Sequence, residues 1–259
     1  MVTDAERSAW ERDGYFIRRG FASEKTAPAM LKRVVEICRL GATAALADGK
    51  LVMPEQNLLA GVDEGSPEEQ RVSKVFRLHR DTVFHDFITS PQVIEIGMDL
   101  LGAKVDCFLS QFIFKNPGAW GQPWHQDEHY FPFDRHPQVG FWLAVSEANR
   151  DNGCLHVVPG SHREPVHEHV PDRRPNANIG YVEIVDHDMS AAIPVLMEPG
   201  DLLVFHSRLM HSSRDNRSDQ IRAAMVYHMS EHGTVDSWAE SPVNDWLALD
   251  DTLQSRSEQ

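Results

Sequence analysis

Beyond Gly102 the chain becomes a series of short apolar segments, at 105–115, 140–146, 154–158, 202–205 and 221–229, separated by Gly, Pro, Asn and Asp and showing no helical periodicity. None of them can bury its apolar side alone. Strands spaced in this way close on one another as an antiparallel barrel or sandwich. Before Gly102 the pattern is helical. Thr3 and Glu6 have capping-box spacing for a short helix to Arg12, stopped at Asp13-Gly14 and followed by a strand at Tyr15-Phe16-Ile17. Residues 24–47 carry Met30, Val34, Ile37 and Cys38 or Gly41 along one helical face. Ser90-Pro91 opens another helix, with Val93, Ile94, Gly97, Leu100 and Leu101 in a stripe, and Gly102 ends it. Residues 48–72 read as a surface loop punctuated by Pro54, Gly61, Gly65 and Pro67. The expectation is a single domain over residues 1–259, mainly β, with α-helices packed on a β core. In it, 1–103 is mainly helical support, 104–230 the β core and 231–259 a C-terminal extension whose polar residues 252–259 fray.

Charge narrows the partners. Lys and Arg total 25 against 39 Asp and Glu, a formal net charge of -14, so the chain has no general attraction to phosphate backbones or anionic lipid surfaces. A small-molecule substrate is expected, with neither nucleic acid nor membrane as partner. Cys38, Cys107 and Cys154 are odd in number and form no CxxC pair, which suits buried thiols in a reducing compartment. The acidic start lacks a signal-peptide profile, and no apolar run approaches the ~18 residues of a membrane span. A cytoplasmic protein is expected. The unusual entry in the composition is histidine, at 14 residues.

Trp124-His125-Gln126-Asp127 contains the first chemical pattern. In extended backbone, residues two apart point to the same side, so His125 and Asp127 can converge. A second histidine from another strand would complete two imidazoles and one carboxylate on one face of an octahedron, the arrangement of non-haem Fe(II) oxygenases. His-x-Asp alone is common by chance. A second segment adds weight: Glu198-Pro199-Gly200-Asp201 leads into an apolar strand and His206, with His211, Ser213 and Arg222 beyond. Arginine presents a planar fork that matches a carboxylate and stays charged when buried. A metal ligand followed by a buried arginine suits 2-oxoglutarate, which chelates a metal at one end and carries a carboxylate at the other.

These blocks, in this order, resemble the phytanoyl-CoA dioxygenase-like Fe(II)/2-oxoglutarate oxygenases. The similarity runs from Asp13-Gly14-Tyr15 through Phe112-Ile113-Phe114-Lys115-Asn116-Pro117-Gly118, Trp124-His125-Gln126-Asp127 and Asn152-Gly153-Cys154-Leu155. It continues through Val158-Pro159-Gly160-Ser161-His162 and Pro199-Gly200-Asp201 to His211-Ser212-Ser213, Asn216-Arg217-Ser218 and Arg222. The resemblance implies a double-stranded β-helix of jelly-roll, cupin-like form, with Fe(II) held by His125, Asp127 and His211. It also implies that Arg222 and Ser213 bind the distal carboxylate of 2-oxoglutarate, with Trp142, Gln111 and Lys74 lining the cosubstrate. The implied reaction consumes O2 and 2-oxoglutarate, releases succinate and CO2, and hydroxylates or otherwise oxidises an unactivated C–H bond. Asp127 in the ligand set favours oxygenation over halogenation.

Several alternatives stand beside this reading. His206 competes with His211 as the second histidine. Trp142 and Gln111 are equally at home as packing residues of a β core. His129, Tyr130, Phe131 and Phe133 form either a substrate wall or a loop covering the barrel mouth. His162 reads as a turn residue, and His167 and His169 as solvated loop residues. Arg71, Arg135, His136, Arg163, Arg173 and Arg174 suit either an anionic substrate or ordinary loop charge. At the level of function, the alternatives are a non-catalytic 2-oxoglutarate or metal sensor, and a cupin-type metal enzyme that does not use 2-oxoglutarate.

Overall fold

A computed structural model describes residues 1–58, 67–236 and 246–249. Its helices and strands run, in chain order, α1 (Asp4–Asp13), β1 (Tyr15–Arg18), α2 (Thr26–Arg39), α3 (Ala42–Ala47), β2 (Leu51–Pro54), β3 (Val72–Phe76), α4 (Thr82–Ile88), α5 (Pro91–Leu101) and β4 (Val105–Lys115). They continue with β5 (Val139–Ala144), β6 (Leu155–Val157), β7 (His169–Pro171), β8 (Val182–Ile184), β9 (Ile193–Val195), β10 (Leu202–His206), β11 (His211–Ser213), β12 (Arg222–Glu231) and β13 (Leu247–Ala248). The tail at 252–259 lies outside the described residues.

The local signals act as the sequence suggests. At α1 the Thr3 hydroxyl accepts from the Glu6 N–H at 3.3 Å and the Glu6 carboxylate accepts from the Thr3 N–H at 2.9 Å. Gly14, at φ 83°, ends the helix in a left-handed conformation that a side chain would resist. The helix expected over 24–47 breaks into α2 and α3 at Gly41, also at positive φ. The expected loop 48–72 is overturned at its ends, because 51–54 and 72–76 pair as β2 and β3 at the edge of the main sheet. The short helix α4 was not foreseen either.

The main sheet has the order β1-β10-β5-β12-β4-β3-β2, with β13 also paired to β4, and a smaller sheet has the order β11-β6-β9. Together they form the double-stranded β-helix. Period-two alternation decides what each sheet face does. On β12, Ala223, Met225, Tyr227 and Met229 pack outward against a core shared with Met30, Val34, Ile37 and Phe84 of the helices. Ala224 and Val226 point inward, to a second cluster with Leu155, Val157 and Val195 of the smaller sheet. On β5, Phe141 and Leu143 likewise face the helices while Trp142 and Ala144 face the interior. Each of the fully buried Val, Leu, Ile, Met and Phe side chains contributes about 1.5–3 kcal/mol. All three cysteines are buried and free. Among the described residues no helix is long and apolar enough to cross a membrane.

Gly140 on β5 shows how tightly the fold is tied to the interior. A β-carbon there would lie 2.3 Å from two ring carbons of Phe205, whose ring in turn stands 5.2 Å from that of His211. Gly140→Ala is therefore expected to push Phe205 off its rotamer and destabilise the protein by about 1–3 kcal/mol. Urea unfolding would show a lower midpoint at unchanged slope; an unchanged midpoint would mean that the ring moves aside freely.

Candidate active site

The smaller sheet reaches the chemistry through an isolated antiparallel bridge. His125 and His211 exchange backbone N–H···O bonds of 3.0 Å in both directions, which sets their rings side by side with centroids 4.1 Å apart. Asp127, two residues on, opens a short 3-10 turn and brings its carboxylate back: Oδ1 lies 3.5 Å from His125 Nε2 and 3.6 Å from His211 Nε2. All three residues are buried, and their donor atoms lie within 4.8 Å of one another.

The surroundings point those donors the right way. His125 Nδ1 is 2.8 Å from the Pro123 carbonyl and His211 Nδ1 is 2.9 Å from that of Leu209. A carbonyl only accepts, so each Nδ1 carries the proton and each Nε2 presents a lone pair. The Gln122 amide donates to His125 Nε2 at 3.0 Å. Burial, reinforced by His125, holds His211 down to about 4, so it is neutral at pH 7. Burial works to raise the Asp127 carboxyl, yet His211, His125 and His228 outweigh it and keep the group well below the ordinary aspartate range. His228 donates from Nε2 to Asp127 Oδ2 at 2.9 Å. Two imidazoles with their Nε2 atoms turned inward and one carboxylate, each oriented from behind, fit a divalent iron ion.

Deeper in the same cavity, of about 370 Å³, stands a second constellation. Arg222 starts β12, 2% exposed, and its Nε and Nη1 are buried without a hydrogen-bond partner. Burial draws its guanidinium down to about 10, which leaves it charged at pH 7. Its guanidinium carbon stands 5.6 Å from the centre of the Trp142 ring. Directly across the sheet, Lys115 of β4 pairs with Arg222 in register, also buried. Burial first, then the Arg222 charge, pull Lys115 well below the ordinary lysine value. Its Nζ donates to the Trp120 carbonyl at 3.3 Å, and at 2.8 Å to both the Arg214 carbonyl and Ser213 Oγ. Ser213 Oγ also accepts from the Gln122 N–H at 3.1 Å, so its lone pairs are taken and only its proton remains to be given.

Every residue expected at the site lines this cavity: Lys74, Gln111, Trp142, Ser213 and Arg222 alongside the His125, Asp127 and His211 group. Lys74 lies 4.8 Å from the centre of the Tyr181 ring and donates to Gln122 Oε1 at 3.2 Å. His206 does not join them. It follows Leu202 and Val204 on the helix-facing side of β10, packed 5.5 Å from Trp10 and 5.3 Å from His162. The aromatic tract after Asp127 divides: Tyr130 and Phe131 line the cavity, whereas Phe133 packs on Phe108 and His129 stacks on His169 at 4.2 Å. His169 is thus no solvated loop residue; its Nε2 accepts from the Gln126 N–H at 3.0 Å. The loop arginines sit elsewhere, with Arg174 forked on Asp172 and Arg135 bonded to Glu231. Sequence reasoning missed Lys115 and His228 as site residues. Strand alternation contained the signal, since Lys115 shares the inward face of β4 with Gln111 and Ile113, and His228 that of β12 with Arg222.

Comparison with known proteins agrees with this geometry. The phytanoyl-CoA dioxygenase (PhyH) family model matches residues 10–224. Peroxisomal phytanoyl-CoA dioxygenase of Bos taurus is 29% identical over 233 residues, covering 87% of this chain and 68% of that protein. Phytanoyl-CoA dioxygenase domain-containing protein 1 of Danio rerio is 27% identical over 290 residues, covering 98% and 97%. Among solved structures, EvdO2 from Micromonospora carbonacea var. aurantiaca complexed with 2-oxoglutarate superposes with a TM-score of 0.69 at 22% identity, covering 93% of this chain and 96% of that one. Apo EctD from S. alaskensis gives 0.69 at 20% identity, covering 94% and 81%. The chain belongs to the phytanoyl-CoA dioxygenase family of Fe(II)- and 2-oxoglutarate-dependent oxygenases.

Proposed function

We propose that His125, Asp127 and His211 hold the Fe(II) of this dioxygenase, that Arg222 and Ser213 hold the distal carboxylate of 2-oxoglutarate, and that a small-molecule substrate is oxidised at an unactivated C–H bond in the same cavity. The observation that carries this reading is Arg222: a buried guanidinium with Nε and Nη1 unpartnered, beside a serine whose only remaining hydrogen-bonding capacity is its proton. Leaving such donors unmet is costly, and a carboxylate meets both at once. Trp142 covers the guanidinium face, while Gln111 and Lys74 border the cosubstrate.

Iron with 2-oxoglutarate and O2 supplies oxidative decarboxylation to succinate and CO2, coupled to oxidation of the substrate. The chain's own residues supply orientation and exclusion of water. Prolyl and leucyl carbonyls fix the ring tautomers of His125 and His211, His228 keeps the Asp127 carboxylate turned toward them, and Lys115 keeps the Ser213 hydroxyl a donor. Leu109, Phe131, Phe205 and Val226 form an apolar wall, which suits a substrate whose reacting portion is hydrocarbon-like.

Succinate formed from 2-oxoglutarate in the presence of Fe(II), O2 and substrate tests the reading as a whole. His125→Ala, Asp127→Ala and His211→Ala are each expected to abolish it, and the wild-type product is expected to carry oxygen even in high chloride, because Asp127 occupies the position that a halide needs. A chlorinated wild-type product, or full turnover without His211, would remove Asp127 or His211 from the metal.

Arg222→Ala is expected to weaken 2-oxoglutarate binding by about 2–5 kcal/mol while iron binding persists, since it deletes a charged fork without touching the metal donors. Arg222→Lys restores only part of the loss. Lys115→Met should raise the Kd for 2-oxoglutarate by roughly ten-fold, through the Ser213 hydroxyl that it orients. Calorimetric titration of 2-oxoglutarate into the metal-loaded variants reads all three, and an unchanged Kd in Arg222→Ala would place the arginine outside the cosubstrate site.

A further inference from the structure

A second group of metal-competent side chains lies outside the cavity. Glu164 follows the short 3-10 turn Ser161–Arg163, His167 precedes β7 and His187 follows β8. Their donor atoms converge to within 4.8 Å of one another. Glu164 Oε2 is 3.0 Å from His167 Nε2 and 3.2 Å from His187 Nε2, and the two rings stand 5.2 Å apart at 85°. Asp186 approaches His167 from behind, its Oδ1 3.3 Å from Nδ1. The histidine side chains are 16% and 20% exposed. We propose that Glu164, His167 and His187 form a second binding site, for a transition-metal ion of the zinc class.

Spacing is the first argument. Two donors held at 2.0–2.1 Å from one metal in a tetrahedral arrangement are about 3.3 Å apart, close to both glutamate–imidazole separations. Orientation is the second. With Nε2 on a metal, His167 would turn Nδ1 toward the Asp186 carboxylate 3.3 Å behind it, the arrangement that orients and strengthens metal-bound histidines. His187 Nδ1 has no hydrogen-bond partner, so Nε2 is the engaged nitrogen of that ring, and it faces the same point. Two imidazoles and a carboxylate form a borderline donor set that suits Zn(II) better than Mg(II) or Ca(II).

The site would tie two segments of the chain together. His167 also donates its backbone N–H to Gln126 Oε1 at 2.9 Å, and Gln126 lies between His125 and Asp127. A metal there braces the 164–167 segment and the turn after β8 against the backbone that carries the iron donors.

The test counts metal on untagged protein. With the first site filled by Fe(II) and 2-oxoglutarate under anaerobic conditions, wild-type protein titrated with Zn(II) is expected to take up one further equivalent without releasing iron. The His167→Ala/His187→Ala variant should take up none. In a His125→Ala/His211→Ala background, Zn(II) should still bind once per chain and raise the melting temperature, and adding His187→Ala should cost at least about ten-fold in affinity. Asp186→Asn, which leaves the donors in place, should cost on the order of ten-fold. Absence of a further equivalent in the iron-loaded wild type overturns the proposal without any variant. So does uptake that survives loss of both His167 and His187.

Discussion

Two backbone hydrogen bonds between His125 and His211, both of 3.0 Å, join the segment after β4 to the end of the smaller sheet. They place two imidazoles side by side at the barrel interior, and Asp127 reaches both because the chain turns immediately after His125. Every further feature of the site depends on that register. A one-residue slip would turn His211 away and bring Ser212 toward the cavity in its place. The carbonyls of Pro123 and Leu209 then settle the tautomers, so the direction of each Nε2 lone pair follows from the backbone.

Strand β12 carries the second constraint. It lies at the centre of the main sheet, between β4 and β5, so both its faces are buried and both have work to do. The outward face joins the helices through Met225, Tyr227 and Met229, with the Tyr227 hydroxyl donating to the Phe84 carbonyl at 2.8 Å. The inward face carries Arg222 at one end and His228 farther along, both lining the cavity, with His228 bonded to Asp127. Packing of the helices on this strand therefore positions chemistry on its reverse side. Placing Arg222 opposite Lys115 brings two buried basic groups together, which helps pull the lysine below its ordinary value while its Nζ donates to three local oxygens. An anion bound at this end of the cavity would relieve that repulsion and, by binding only the folded chain, would stabilise it.

Legibility followed the strength of the local signal. The strand at 105–115 was readable to the residue, and those at 202–206 and 222–231 nearly so, because buried apolar runs bounded by turn residues have few other solutions. The edge strand β2 falls inside the expected loop 48–72 and β3 begins at its last residue; runs this short, interrupted by Pro54 in one and by Ser73 and Lys74 in the other, carry too little pattern to mark a strand. The strands β7, β8 and β9 were not anticipated because three residues are too few to show any periodicity. Side-chain parity sets His211 beside His125 and Asp127 and keeps His206 away from them. His206 falls on the helix-facing side of β10, and the sequence alone did not establish where that strand's alternation begins.

By itself, the sequence determined the class of fold and the family, because hydrophobic patterning and the order and spacing of the motifs that carry His125, Asp127, His211 and Arg222 are local properties of the chain. Tertiary structure alone decided which partners stand behind those residues. Lys115 reaches Ser213 and His228 reaches Asp127 across long stretches of sequence, and Glu164, His167 and His187 meet only where two loops are folded together. Such contacts depend on strand register and loop path, and these are properties of the whole packed molecule that no short window of residues contains.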